Sequence, residues 1–191
     1  MRKRLLTVLL MFLVLISGCV QQKTEQNTIP ITSITTADRS TTTLALQDDS
    51  SRYVNREYGF SIISPEGWTI DEVPEEQIVV SFVGPEETGF SYIEVRAMKL
   101  PNEISLAEFT EASKQDNADQ LIFISERDRN INGKKAHEFV STNKATPNIQ
   151  FKQVAMIEKG NLYVIIAGSP KDKYNIYDPI FEKSIETFKI E

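Results

Sequence analysis

The chain holds few of the residues from which an active site or a metal centre is normally built. It has 191 residues, with a single cysteine, Cys19, and a single histidine, His137. These counts exclude cysteine-rich zinc sites, internal disulfides, redox cysteine pairs and centres with several histidines. The sequence also lacks the Gly-x-Ser-x-Gly elbow of hydrolases and the glycine-rich loops that bind nucleotide phosphates. We therefore predict a protein that is not an enzyme, with no catalytic residues, no metal site and no cofactor.

His137 is the one imidazole that could serve as a general base or a metal ligand. Its alternating segment places Lys135, Phe139 and Ser141 on the same face of a predicted strand. A base or a metal site needs convergent partners, and the sequence shows none beside His137, since Glu138 points to the opposite face. We interpret His137 as a half-exposed structural residue.

Acidic residues cluster after the second predicted strand. Pairs of carboxylates on turns are able to bind a hard cation such as Ca²⁺, but no EF-hand spacing is present. A solvated acidic edge is the favoured interpretation, and the same edge suits a basic partner. The residues are Asp71, Glu72, Glu75, Glu76, Glu86 and Glu87.

Cys19 closes a segment with the parts of a secretory signal peptide. Basic residues at positions 2–4 precede the apolar run 5–16, which is shorter than the roughly 20 residues of a membrane-spanning helix. The ending Leu15-Ile16-Ser17-Gly18-Cys19 resembles the lipobox of prokaryotic lipoproteins. In that family the thiol takes a diacylglyceryl-type lipid, and cleavage leaves the cysteine as the new N-terminus. The resemblance predicts a signal peptide over 1–18 and a lipid anchor on Cys19. The anchor would hold the protein at the cell membrane, on the extracytoplasmic side. The alternative is a plain signal peptide without lipidation.

Residues 19–51 are rich in threonine and serine and show no apolar period. Too little apolar surface is available there to offset the chain entropy, so we predict a disordered stalk after the lipidated cysteine. Removal of residues 1–18 takes away three basic residues and changes the net charge from −6 to −9. This acidic balance argues against nucleic acid as a partner.

Residues 52–191 alternate between strand and helix patterns and predict one globular domain. Four strands come first, then a helix from 106 to about 117 that starts with the capping box Ser105 to Glu108. Four more strands follow, and a last helix is predicted with Asp178 as N-cap and Pro179 at its first position. The predicted strands lie near 58–62, 68–70, 78–83, 93–97, 122–128, 136–142, 149–157 and 162–168.

Tight turns indicate the fold class. Asn132-Gly133 and Gly160-Asn161 are typical of hairpins, so the sheet is expected to be mainly antiparallel. The segment Leu162–Ala167 has no polar alternation, which predicts a central strand covered on both faces. The predicted fold class is α+β, a mainly antiparallel β-sheet flanked by helices on both faces.

Aromatic residues in the first half of the domain are candidates for an interface. Phe60 and Trp68 lie on patterned strands and are expected in the core. Tyr53 and Tyr92 are the better candidates for an exposed contact. Tyr92 shares its strand face with Arg96, and the pattern predicts that this face is exposed to water, so we include Arg96 in the candidate interface.

The domain resembles PsbP-like domains. The segments Tyr53-Val-Asn-Arg-Glu-Tyr58-Gly59-Phe60-Ser61-Ile62 and Pro65-Glu66-Gly67-Trp68 follow the family's opening pattern of an aromatic residue, YGF and P-x-G-W. Gly160-Asn161-Leu162-Tyr163-Val164 and the closing Phe188-Lys189-Ile190 resemble its C-terminal half. The family includes the PsbP extrinsic subunit of photosystem II, cyanobacterial relatives, and secreted or lipoprotein members in other prokaryotes. The resemblance implies an antiparallel sheet flanked by helices.

Three hypotheses about function remain open. The favoured one is a lipid-anchored, non-catalytic module that docks on or stabilises another envelope protein. The second is a lipoprotein that binds a small ligand or a divalent cation. The third is a hydrolase whose carboxylates are distant in sequence and meet in the fold. A photosynthetic role does not follow from the resemblance, because a fold does not fix a function.

Overall fold

The computed structural model describes residues 51–71 and 77–191, within a unit that spans Ser51–Glu191. The predicted signal peptide, Cys19 and nearly all of the predicted stalk lie outside these ranges. No helix within them is long and apolar enough to cross a membrane. Three members of the acidic cluster also lie outside them: Glu72, Glu75 and Glu76.

The predicted strands are present, and most are longer than their patterns indicate. Two short strands, β1 and β10, and a 3₁₀ turn were not predicted. The order is β1 (Arg52–Asn55), β2 (Phe60–Ile63), β3 (Thr69–Asp71), β4 (Ile78–Val83), a 3₁₀ helix (Glu86–Thr88), β5 (Tyr92–Lys99), α1 (Leu106–Asn117), β6 (Leu121–Ile131), β7 (Lys134–Asn143), β8 (Ile149–Glu158), β9 (Asn161–Pro170), α2 (Tyr174–Ile185) and β10 (Lys189–Ile190).

Across the described residues the strands form two sheets. The larger has the order β3-β4-β5-β9-β8-β7-β6, and the smaller has the order β1-β2-β10. Every neighbouring pair is antiparallel. Strand β9 lies between β5 and β8, and its residues 162–169 are all buried. The prediction of a central strand covered on both faces is confirmed.

The main core is formed by one face of the larger sheet, the smaller sheet and α2. Phe60 of β2 and Phe181 of α2 are fully buried, and burial of side chains of this size contributes about 1.5–3 kcal/mol each. The rings of Phe60 and Phe188 stack with centroids 5.2 Å apart, and Trp68 meets Phe181 edge-on at 6.2 Å. Phe60 is thus a core residue, whereas Trp68 is half-buried at the edge of the core.

Helix α1 begins with the predicted capping box. The Ser105 hydroxyl accepts a hydrogen bond from the Glu108 amide (3.2 Å), and the Glu108 carboxylate accepts one from the Ser105 amide (2.9 Å). These bonds satisfy N–H groups that the start of a helix leaves without partners. Hydrogen bonds from Ser105 also hold the pKa of the Glu108 carboxyl below its usual range.

The two α-helices lie on opposite faces of the larger sheet. Lys114 of α1 pairs with Glu126 of β6 at 2.7 Å, whereas Glu182 of α2 pairs with Arg127 and Arg129 of the same strand. Successive residues of a strand point to opposite faces, so Glu126 faces α1 and the two arginines face α2. The predicted α+β class, a mainly antiparallel sheet flanked by helices on both faces, is confirmed.

Both predicted hairpins are present, one of them shifted by a residue. Asn132-Gly133 joins β6 to β7 with φ values of 49° and 84°. The second turn is Lys159-Gly160, with φ values of 51° and 76°, because Glu158 pairs with Asn161. Positive φ at both turn residues matches the twist of the flanking strands. Glycine therefore occupies the second turn position, and Asn161 belongs to β9.

Helix α2 begins earlier than the sequence predicts. It spans Tyr174–Ile185, so Pro179 lies inside the helix and Asp178 is not the N-cap; Lys173 occupies that position without a side-chain cap. Tyr174 is 5% exposed and belongs to the main core. Burial of this side chain stabilises a first turn that the local pattern around Pro179 does not reveal.

Replacement of Pro179 by alanine is expected to stabilise the protein. A proline inside a helix removes the hydrogen bond to the carbonyl four residues earlier, here that of Asn175, and its ring crowds that carbonyl. The restriction that proline places on the unfolded chain offsets part of this effect. We expect the free energy of unfolding, measured by urea denaturation, to rise by about 1–2 kcal/mol.

Lys183→Ala, at an exposed position of the same helix, is the control and should change the free energy of unfolding by less than about 0.5 kcal/mol. A loss of stability in Pro179→Ala would contradict the observed start of α2. It would favour a helix that starts at Pro179, where a proline forgoes no hydrogen bond.

Candidate functional site

His137 lies between two carboxylates that the local sequence does not place beside it. Its Nδ1 is 2.6 Å from Asp128 Oδ1, and its Nε2 is 3.7 Å from Glu126 Oε2. Strand register brings these groups together, because Asp128 pairs with His137 and Glu126 pairs with Phe139. The signal was present in the sequence: counting outward from the Asn132-Gly133 turn places residue 128 opposite residue 137.

The surroundings of His137 favour a structural role. Its side chain is 15% exposed, and its ring meets that of Phe139 at a centroid distance of 4.7 Å. A hydrogen bond from Lys114 of α1 holds the pKa of the Glu126 carboxyl below its usual range. The cluster therefore joins α1 to the β6–β7 hairpin. Within the described ranges, no group of three or more His, Cys, Asp and Glu side chains is placed to hold a metal ion.

A network of buried ion pairs lies on the opposite face of the sheet, against α2. Lys152 of β8, 3% exposed, contacts Asp178 at 2.6 Å and also binds Glu182. Arg129 of β6 binds Glu182 at 2.8 Å and Glu138 at 2.5 Å. Removing charges from water is costly unless each finds an opposite charge, and each residue named here has one. Lys152 and Glu138 are inward-facing charged residues that the sequence patterns did not single out.

Oppositely charged partners keep the side chains of this network ionised. Burial opposes ionisation of Glu182, but hydrogen bonds from Arg129 and Lys152 outweigh it and hold the pKa of this carboxyl below its usual range. Burial, with the nearby Asp178 carboxylate, raises the pKa of the Tyr174 phenol. Glu182 is therefore the ionised partner of two cations and is not suited to donate a proton as a general acid at neutral pH. The geometry favours a structural role for the network, which fastens α2 to the sheet.

Glu182→Gln is expected to lower the free energy of unfolding at pH 7 by about 1–3 kcal/mol. The substitution leaves Lys152 and Arg129 short of a counter-charge, and partial exposure of the site moderates the loss. The folded-state pKa of Glu182 lies below the unfolded value of about 4.3. Its contribution is therefore fully present above that value and disappears as the pH falls through the folded pKa.

The measurement is the free energy of unfolding between about pH 7 and pH 3, where the wild type should lose stability more steeply than Glu182→Gln. Glu186→Gln, an exposed position at the end of the same helix, is the matched control. Identical pH profiles for Glu182→Gln and the wild type would show that ionisation of Glu182 adds nothing to stability.

The candidate interface is less exposed than the sequence predicts. Arg96 is 2% exposed, and its Nη2 lies 3.0 Å from Glu94 Oε2. The prediction that this face of β5 is exposed to water is wrong for Arg96, whose cross-strand neighbour Val164 on β9 is also buried, so that the sheet face is covered at this point. Charged and apolar residues alternate along β5 although Arg96 is buried, because its charge is paired with that of Glu94. Tyr53 and Tyr92 are half-buried.

Both tyrosines contact the domain itself. The Tyr53 hydroxyl donates to the carbonyl of Val79 at 3.3 Å. The ring of Tyr92 lies over Gly168, its cross-strand partner on β9, where a Cβ atom would come within 2.8 Å of Tyr92 Cε1. Burial, together with the Glu94 carboxylate, raises the pKa of the Tyr92 phenol. Partner binding through Tyr53, Tyr92 and Arg96 stays a prediction.

The described members of the acidic cluster face solvent. Asp71 ends β3, and Glu86 and Glu87 lie in the 3₁₀ helix; all three are exposed. Their exposure agrees with the interpretation of a solvated acidic edge.

An open cleft of about 660 Å³ lies between the β5–α1 loop and the β8–β9 turn. Leu100, Ile104 and Ile157 give it an apolar lining, and Ser105 and Glu108 add polar groups. A ligand site usually combines apolar walls with a few convergent polar groups. Ser105 and Glu108 instead bind each other in the capping box. The cleft is therefore a candidate position for a small ligand, but its polar groups are already bonded to each other and offer little to orient a ligand.

Solved structures share this fold. The chain is similar to the cyanobacterial PsbP protein CyanoP of Synechocystis sp. PCC 6803, with a TM-score of 0.58 and 15% identity, over 73% of this chain and 91% of that one. It is also similar to LpqN of Mycobacterium tuberculosis, described as involved in cell envelope biogenesis, with a TM-score of 0.55 and 13% identity, over 69% of this chain and 82% of that one. The resemblance to PsbP-like domains is thus confirmed for the fold.

Sequence comparison adds no closer relationship. No protein-family model matches the chain, and no curated protein matches it in sequence. At 13–15% identity the structural likeness shows the fold alone.

Proposed function

We propose that the protein is a lipid-anchored, non-catalytic accessory module that docks on or stabilises another protein of the cell envelope. The observation that carries the proposal is a PsbP-like fold in a chain whose N-terminal segment ends in a lipobox-like Cys19. LpqN, which shares the fold, is described as involved in cell envelope biogenesis. A lipid anchor and a PsbP-like fold together suit a module that acts by binding another envelope protein.

The ionisable clusters support the non-catalytic part of the proposal. His137 is held by Asp128, and Glu182 is held by Arg129 and Lys152. A general base must reach a substrate proton directly or through one water molecule. The hydrogen bonds of His137 Nδ1 and of the Glu182 carboxylate instead go to residues of the same domain, and His137 Nε2 is buried.

Cys19→Ala is expected to release the protein from the membrane. Two acyl or alkyl chains supply the double signal that stable anchoring requires, and the substitution removes their attachment point. We expect the wild type in the detergent phase of a Triton X-114 separation and the variant largely in the aqueous phase or retained as uncleaved precursor. Gln21→Ala, two residues further on, is the control and should behave like the wild type. A Cys19→Ala protein that is cleaved and still in the detergent phase would refute lipid anchoring at this residue.

Docking on an envelope protein is tested by chemical cross-linking of the full chain in intact cells, followed by affinity purification from detergent-solubilised membranes. We expect one dominant cross-linked protein, also recovered when the order of tagging is reversed. Repeated purifications without a partner would contradict the docking function. A melting temperature that rises with Ca²⁺ or Mg²⁺ would instead support the cation-binding alternative, because a ligand of the native state stabilises it.

A further inference from the structure

Phe90, between the 3₁₀ helix and β5, is an apolar residue in an unfavourable position. Its side chain is 86% exposed, and its φ of 71° places it in the left-handed region. Bulky residues other than glycine rarely adopt this region, and such strain clusters at sites that bind or switch. Neither solvent exposure nor backbone geometry favours a phenylalanine here, which makes Phe90 a candidate for contact with a partner.

The loop that presents Phe90 is fixed by its own hydrogen bonds. Thr88 and Ser91 are 2% and 0% exposed; the Ser91 amide donates to Thr88 Oγ1 (3.2 Å), and the Ser91 hydroxyl donates to the Thr88 carbonyl (3.2 Å). The Gly84 amide donates to the Ser91 carbonyl at 2.9 Å. A Cβ atom at Gly84 would lie 2.8 Å from Thr88 Oγ1. A loop whose backbone is held in this way loses little conformational entropy on binding.

A second contact joins the loop to the start of α2. Lys173 Nζ donates to the Glu87 carbonyl at 2.7 Å, and Gly89 is packed closely enough that an added Cβ would lie 3.3 Å from Pro170 Cγ. The loop that carries Phe90 is thus fastened to the start of α2.

We propose that Phe90 is the anchor through which the domain docks on a protein surface with an apolar pocket rimmed by lysine or arginine. This inference rests on the docking function proposed above and names its contact. Large aromatic side chains in a fixed setting are typical interface anchors. Glu86 and Glu87 stand exposed beside Phe90, so a basic rim gives charge complementarity.

The charges next to Phe90 select against two other occupants. An anionic lipid surface attracts basic segments and repels acidic ones. The two carboxylates of Glu86 and Glu87 outnumber the Lys173 ammonium that binds this loop. A second copy of the chain offers the open cleft near α1 as a pocket, but that cleft is lined by Glu103 and Glu108. Like charges would then face each other across the contact.

The test places p-benzoylphenylalanine, a photo-cross-linking residue, at position 90 of the full chain in intact cells. Position 124 is the matched control, since Ile124 is 51% exposed in β6, the strand at one edge of the larger sheet. Irradiation should link position 90 to one protein, at a segment in which apolar residues are flanked by lysine or arginine. Phe90→Ala should lower partner recovery at least tenfold, as loss of a central anchor does.

A second variant separates docking from folding. Phe90→Gly removes the left-handed strain, so its melting temperature should equal or exceed that of the wild type while partner recovery still falls at least tenfold. Recovery that is unchanged in Phe90→Gly would overturn the inference.

The cross-linking outcomes also distinguish the two proposals. Links from position 90 to lipid, to a second copy or to an acidic segment overturn the inference. Links from position 124 alone overturn it as well. If wild-type cross-linking still recovers a partner in these cases, the proposed docking function stands. If neither position nor the wild type yields a partner, the docking function fails and the inference fails with it.

Discussion

The burial of β9 on both faces is the constraint on which the rest of the fold depends. Residues 162–169 contribute almost only apolar side chains, and none of them is exposed. A strand of this kind cannot leave either face to water, since apolar surface costs about 25 cal/mol per Å² when exposed. The sheet must therefore be covered twice, by α2 with the smaller sheet on one face and by α1 on the other. The helices that follow β5 and β9 in sequence supply this cover.

The ion-pair network fixes the position of α2 on the larger sheet. The hydrophobic effect is non-directional, whereas charge-assisted hydrogen bonds between ion pairs add geometric specificity. Lys152 and Arg129 face α2 from separate strands, and Glu182 binds both. Charges buried at this depth need partners whatever their net contribution to stability. The Glu182 and Asp178 carboxylates therefore hold α2 in position through their pairs with cations of the sheet.

Local signals predicted the elements, and long-range contacts decided the rest. The capping box from Ser105 to Glu108 and the Asn132-Gly133 turn were predictable because each is complete within a few residues. The start of α2 was not, because burial of Tyr174 outweighs the helix-start signal of Pro179. Partners of His137 were recoverable from hairpin register, but no periodicity relates Arg129 to a glutamate that follows it by 53 residues. The roles of Cys19 and of the segments around it remain predictions from sequence.

Phe90 lies in the connection between β4 and β5 and not in the sheet that this chain shares with other proteins of the fold. Proteins with this fold at 13–15% identity preserve the sheet and its cover, while loops are free to change. Here the connection between β4 and β5 is fixed at one end by strands of the core and at its middle by Lys173. A strained, exposed phenylalanine on so rigid a support breaks the local rules that the rest of the domain follows, and such violations are expected at functional sites. The buried core thus provides the stability against which one unfavourable residue is retained, and in the docking role proposed above specificity for a partner would reside in that residue and not in the fold.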